Sequence, residues 1–256
     1  MKHSKVVPFI QLKNQIYSII EIAELIISLY KLLAVKNSDY RQISIISEKK
    51  MKFQTVDIDG VNAIDKLAEN ILNHNLDDIS KTDKIANPDI NYKRIERGGI
   101  HIGIEAKIKD DTLISLNYSF SKSRCAIGSI IVNELCFDTF EKAINFLEAA
   151  NSVFCVDYSA IRISDPSINE FASQYIAPMG WITYFSNDYE IPIPDDLDGV
   201  EYEYTEKGKY LILTKENIST DLDKLELNKN KLIELMKQVE VKSPTYSRNY
   251  TPPMQH

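Results

Sequence analysis

Residues 100–109, IHIGIEAKIK, place Ile100, Ile102, Ile104, Ala106 and Ile108 on one side of an extended chain and His101, Glu105 and Lys107 on the other. A repeat of two does not fit a helix, whose apolar positions recur every three or four residues, so the segment is a strand with one face in a core. Partners follow at once. Asp110-Asp111 is a turn, TLISLNYSF reads as a second strand and CAIGSIIVNEL as a third. This antiparallel meander constrains the rest of the chain, whose elements have to cover its apolar face or extend its edges.

On the N-terminal side, helical spacing of Ile16, Ile19, Ile20, Ala23, Ile27 and Leu33 predicts a helix over about Leu12–Val35, ended by Asn37-Ser38-Asp39. Extended stretches near Ile43–Ser47 and Phe53–Ile58 lead to a second helix near Val61–Asn73, and the polar stretch Asn75–Asn91 reads as a loop. After the meander come a helix over Phe137–Ala150, a strand over Val153–Ile161 and a short helix over Pro166–Tyr175 with Asp165 as its cap. A strand over Met179–Phe185, a hairpin turning at Glu206-Lys207-Gly208 and a helix over Leu222–Val239 complete the order. With no internal repeat and no clear linker, the expectation is one α+β domain over residues 1–242. Its sheet is largely antiparallel or mixed with helices packed on it, and residues 243–256 form a flexible tail.

At 256 residues and 44% apolar content, the chain can bury a core without staples. Its 30 Lys and Arg against 37 Asp and Glu give a formal charge of -7, which disfavours direct nucleic-acid binding and favours a basic partner. Three cysteines, in no C-x-x-C or Cys/His spacing, point to a reducing compartment, no metal and no cofactor. Cys125 and Cys155 lie on apolar patterns and read as buried hydrophobes. The apolar stretch Ile16–Val35 carries Glu21 and Glu24 three residues apart, which suits an amphipathic helix and not a membrane span. The expected location is therefore the cytoplasm, with no membrane partner.

One pattern suggests catalysis. Pro88-Asp89 followed by Glu105-Ala106-Lys107 matches the P-D…E-x-K layout in which two carboxylates hold a divalent ion and a lysine assists the attacking water. E-x-K recurs at Glu48–Lys50 and Glu240–Lys242, however, and any solvent-facing strand would set Glu105 beside Lys107. His101 and Glu105 share a strand face about 13 Å apart at the usual rise, too far for one ion. Gly98-Gly99 precedes a strand, whereas phosphate-cradling glycines follow one. The expectation is no catalytic residue; a metal-dependent nuclease using Asp89, Glu105 and Lys107 is the alternative.

The chain's one tryptophan, Trp181, sits on a strand whose two faces are both apolar, which favours a core role. Directly after it, Ser186 to Glu206 contains Asp188, Glu190, Asp195, Asp196, Asp198, Glu201, Glu203 and Glu206 without a Lys or Arg. Two readings stay open for this run. It is a solvated loop and hairpin edge, or, with Tyr189, Tyr202 and Tyr204 interleaved and Pro192 and Pro194 stiffening it, a surface for a basic protein.

YIAPMGWITYFSNDYEIPIPDD, then VEYEYTEKGKYLILTKENISTD and a terminal helix, resemble the immunity protein 52 family of bacterial polymorphic toxin systems. The likeness covers about Tyr175–Val239 and rests on Pro178, Gly180, Trp181, Thr183, Tyr184, Ser186, Gly208, Leu211 and Thr214; before that it is only architectural. It implies a protein that binds and neutralises a cognate toxin. Many such toxins resemble restriction-endonuclease-fold nucleases delivered by a type VI or related secretion system. Pro178, Gly180, Trp181, Thr183, Tyr184 and Gly208 are then structural. The charge pattern assigns toxin contact to Asp188, Tyr189, Glu190, Asp195, Asp196, Asp198, Glu201 and Glu203. An adaptor for some other basic protein remains a further alternative.

Overall fold

The computed structural model describes residues 6–13, 15, 17–46, 55–75, 100–108, 111–120, 125–166, 168, 178–218 and 221–242. Among them are strands β1 (Val6–Leu12), β2 (Gln42–Ile46), β3 (Val56–Asp57), β4 (Ile100–Ile108), β5 (Asp111–Phe120), β6 (Cys125–Val132), β7 (Val156–Ile163), β8 (Ile182–Ser186), β9 (Glu201–Tyr204) and β10 (Gly208–Ile212). The helices are α1 (Ile19–Lys36), α2 (Ala63–Asn75), α3 (Phe140–Val153) and α4 (Leu222–Lys242). Every strand pair with a defined register is antiparallel, so the class is α+β, as the sequence predicts. None of the described helices is long and apolar enough to cross a membrane. The contacts divide the chain into two compact units, one of Met1–Ile10, Glu134–Leu147 and Asp157–His256, the other of Gln11–Asn133 and Glu148–Val156.

The second of these units is built on the meander. Its strand order is β3-β2-β4-β5-β6, with Ile104 opposite Leu116 and Ile102 opposite Tyr118. The alternation read from the sequence is the alternation observed: Ile100, Ile102, Ile104 and Ala106 are buried, while His101 and Lys107 are exposed. Helix α2 packs on β4 and α1 packs on α2, burying Ile22, Ile26, Leu29, Tyr30, Leu67 and Ile71. At the end of α2, buried Asn75 accepts the His101 backbone N–H through Oδ1 at 3.3 Å, which ties helix to strand.

The first helix starts later than predicted. VVPFIQL forms β1, with Val6, Pro8, Ile10 and Leu12 buried in alternation, and α1 begins after Ser18. The start is a capping box: Glu21 N–H donates to Ser18 Oγ at 3.2 Å, and Ser18 N–H donates to Glu21 Oε2 at 2.6 Å. The S-x-x-E signal lies in the sequence, but the apolar repeat running through it extends the apparent helix backwards. Likewise α3 continues to Val153, where a strand is predicted to begin, and β7 starts at Val156. Cys155, in the gap between them, is exposed and not buried as its apolar neighbours suggest; Cys125 is buried.

The other unit carries the order β1-β7-β8-β10-β9. Its hairpin and its final helix lie where the sequence puts them. Asn75, predicted to open a loop, instead ends α2; the rest of the predicted loop Asn75–Asn91, most of the helix Pro166–Tyr175 and the tail 243–256 lie outside the described residues.

Candidate functional site

The tryptophan motif organises the sheet beneath the acidic run. Trp181 is fully buried, its ring meets Phe140 edge-on at 6.2 Å, and its Nε1–H donates to the Thr214 carbonyl at 2.8 Å. Its own N–H donates to Ile161 O at 2.7 Å and its carbonyl accepts from Leu213 N–H at 2.9 Å, so it links the end of β7 to the end of β10. Gly180 lies so close to β7 that a Cβ there would overlap the Ile161 carbonyl, and β8 starts at Ile182, three residues after the predicted start. Thr183 is buried and accepts the Gly180 N–H through Oγ1 at 2.9 Å. The Pro178 carbonyl accepts the Tyr158 hydroxyl. A Cβ at Gly208 would overlap the Phe185 carbonyl, and Tyr184 packs its ring 5.0 Å from Tyr210. These motif residues hold strands together and expose little.

From Ser186 the chain runs outward as the connector to β9, and it is tied down along its length. Asn187 N–H donates to Lys207 O at 2.9 Å and its Nδ2 to Glu206 O at 2.8 Å, fixing the connector's first residue to the hairpin turn. Tyr189 is half-buried, its ring 5.0 Å from Phe185 and 6.5 Å from Tyr158, and burial pushes its phenol pKa upward. In IPIPDDL, Ile193 and Leu197 turn inward and are buried, while Asp195 and Asp196 turn outward. The Tyr202 hydroxyl, reaching back from β9, donates to Pro194 O at 2.9 Å and accepts from Leu197 N–H at 3.1 Å. Gly199, at φ +80°, takes the left-handed turn that starts the chain into β9.

The acidic run is not bare, which corrects the picture of unneutralised charge. Lys209 on β10 donates Nζ to Asp195 Oδ1 at 2.5 Å and to Ile193 O at 2.7 Å. Lys242 at the end of α4 meets the Asp196 carboxylate at 3.1 Å and its carbonyl at 2.5 Å. Lys215 bridges Glu201 at 2.6 Å and Glu203 at 2.8 Å. The Lys209 hydrogen bond holds the Asp195 carboxyl below the usual carboxylate range, and the Glu201 and Glu203 carboxylates raise the Lys215 pKa. Asp198 is fixed through its backbone, donating N–H to Gln238 Oε1 at 2.8 Å and accepting from Gln238 Nε2 at 3.2 Å. All three lysines lie beyond the run in sequence, so a reading along the chain misses them.

What remains outward is specific. Glu190, Asp198 and Glu206 are exposed and form no ion pair with a described residue. Asp188 is also exposed. Of the three interleaved tyrosines only Tyr204 is largely open, 65% exposed, with its hydroxyl donating to Asp195 at 3.1 Å. Tyr189 and Tyr202 serve mainly to anchor the connector.

Of the nuclease-like residues, Glu105 and Lys107 lie together on β4. Lys107 Nζ lies 2.9 Å from Glu105 Oε1, and Thr112 Oγ1 donates to Glu105 Oε2 at 3.4 Å, across the β4–β5 pair. Asp89 lies outside the described residues. Among the described residues no group of three or more His, Cys, Asp or Glu side chains is placed to hold a metal ion.

No family model and no curated protein matches this chain. Among solved structures, the Pseudomonas aeruginosa T6SS protein PA0821 is similar over 90% of this chain and 75% of its own, at 6% identity and a TM-score of 0.48.

Proposed function

We propose that this chain is an immunity protein that binds and neutralises a cognate secreted toxin, a restriction-endonuclease-fold nuclease of a type VI or related secretion system, without catalysis of its own. The observation that carries the reading is the connector: exposed carboxylates and an open tyrosine on a backbone pinned by Tyr202, Lys209, Lys242 and Gln238. A surface ordered before contact loses little conformational entropy on binding, and its negative charge suits a nuclease whose own substrate groove must be basic. The resemblance of Tyr175–Val239 to immunity protein 52 supplies the class of partner.

The reading predicts a toxin domain encoded beside this chain's gene, and it is tested by expressing that domain with and without the chain. Growth rescue and a stoichiometric complex are expected. Equal killing in both cases, with no complex, overturns it. The rival nuclease reading is tested directly by incubating the purified protein with DNA and RNA in Mg²⁺ or Mn²⁺. No cleavage is expected, and cleavage abolished by Glu105→Ala and Lys107→Ala would replace immunity with catalysis.

A further inference from the structure

Strand β9 ends the strand order of its unit, with β10 on one side and, among the described residues, no strand beyond it. Thr205 N–H donates to Gly208 O at 2.8 Å, and the register then sets Tyr204 opposite Lys209, Glu203 opposite Tyr210, Tyr202 opposite Leu211 and Glu201 opposite Ile212. In an antiparallel ladder, hydrogen-bonded and non-bonded pairs alternate. Counting from Thr205, Glu203 and Glu201 turn their N–H and C=O groups toward β10, and Tyr204 and Tyr202 turn theirs to the open edge.

The side chains around this edge are already engaged. Glu201 and Glu203 share Lys215 on one face, and Tyr202 and Tyr204 stack at 6.2 Å and 15° on the other, each tied by its hydroxyl to the connector. Natural sheet edges are blunted by proline, a bulge or a covering segment; β9 contains no proline and pairs with β10 without a register shift. Its protection is charge: Lys215 offsets only one of the two carboxylates it bridges, and the net negative charge left there selects the occupant. A second copy would bring Glu201 and Glu203 against their own counterparts. A strand with Lys or Arg at alternate positions would instead set cations beside them.

We propose that β9 receives an extended basic segment of the partner protein as an added antiparallel strand. Its backbone pairs with Tyr202 and Tyr204, and its alternate Lys or Arg side chains meet Glu201 and Glu203. The proposal rests on the immunity reading only for the identity of that partner.

The test uses the full chain and a fluorescent eight-residue peptide of alternating Lys and Val, read by anisotropy. A block peptide of the same composition, four Lys then four Val, measures charge alone. The alternating peptide is expected to bind more tightly than the block peptide. Tyr204→Ala, which keeps the edge N–H, is expected to retain binding, and Tyr204→Pro, which removes that donor and crowds the edge, to weaken it about tenfold. The Glu201→Gln, Glu203→Gln variant is expected to weaken binding and flatten its salt dependence. No binding of the alternating peptide, equal binding of the two peptides, or equal affinity of Tyr204→Pro and Tyr204→Ala overturns the proposal. So does a dimer in sedimentation equilibrium that Tyr204→Pro dissolves, since a second copy would then hold the edge. If Tyr204→Pro loses the peptide yet still neutralises the toxin, β9 is not the toxin's site and the immunity reading stands. If the unaltered chain binds the peptide but fails against the toxin, that reading falls alone.

Discussion

At the scale of single residues, the tryptophan motif is a packing device. Trp181 fills the core beside Phe140 and satisfies its indole N–H on Thr214, so truncation removes both a large apolar volume and a hydrogen bond. Trp181→Ala is expected to lower stability by about 3–5 kcal/mol, measured as the shift in a urea unfolding midpoint. Trp181→Phe, which keeps a ring, should cost less. Gly180→Ala forces a methyl group into the Ile161 carbonyl, and because both partners are backbone neither can rotate away. Its expected cost is about 1–3 kcal/mol in the same measurement, and an unchanged midpoint would show that β7 moves freely there. The motif is thus fixed by the space between two strands, and the residues proposed to face a partner lie after it.

At the scale of the element, the connector is an irregular segment held by cross-strand side chains. Removing the Tyr202 hydroxyl leaves Pro194 O and Leu197 N–H without their partner. Tyr202→Phe is expected to speed amide exchange at Leu197 while leaving the amides of β8 unchanged, consistent with a hydrogen-bond contribution of about 1 kcal/mol. The Asp195–Lys209 pair gives a pH signature. Because the folded carboxyl pKa is lowered, the stabilisation is present above the unfolded pKa and is lost as pH falls through the folded one. Carboxyl titration followed by NMR should place the Asp195 midpoint below the ordinary aspartate value, and Lys209→Ala should raise it. Asp195 is exposed, so screening keeps this a local effect on docking of the connector.

At the scale of the whole molecule, the net charge of -7 acts through where it is left unpaired. Reversing Asp195 or Asp196 would break ion pairs with Lys209 and Lys242 and confuse binding with loss of local structure. Glu190, Asp198 and Glu206 are the better positions, being exposed without ion pairs to described residues. If the proposed toxin docks on this surface, changing all three to Lys is expected to slow its association at low salt, with the difference fading as the screening length falls to about 8–10 Å. The control reverses Glu24, Glu69 and Glu148, likewise exposed carboxylates of the other unit. Equal slowing by both triples, read by stopped-flow fluorescence, would mean that net charge alone steers the encounter.

The sequence by itself determined the local periods and their punctuation. The alternation at Ile100–Ile108, the turn at Glu206-Lys207-Gly208 and the helical stripe of Leu222–Val239 each depend on residues two to four apart, and each stands in the fold as it reads in the chain. The apolar character of both faces around Trp181 likewise marked a buried strand. Where one apolar pattern runs into the next, as between β1 and α1 or between α3 and β7, periodicity carried no boundary and the backbone hydrogen bonds decided it. The site divides the same way. Which residues are acidic between Ser186 and Glu206 is written in the sequence; which of them are neutralised is not, because Lys209, Lys215 and Lys242 arrive from β10, the segment after it and the end of α4. Burial of Tyr189 and the outward turn of the Tyr202 and Tyr204 backbone are likewise tertiary facts. Electrostatic and hydrogen-bond partners are set by distance in space, and sequence separation measures that distance only within a single helix, strand or turn.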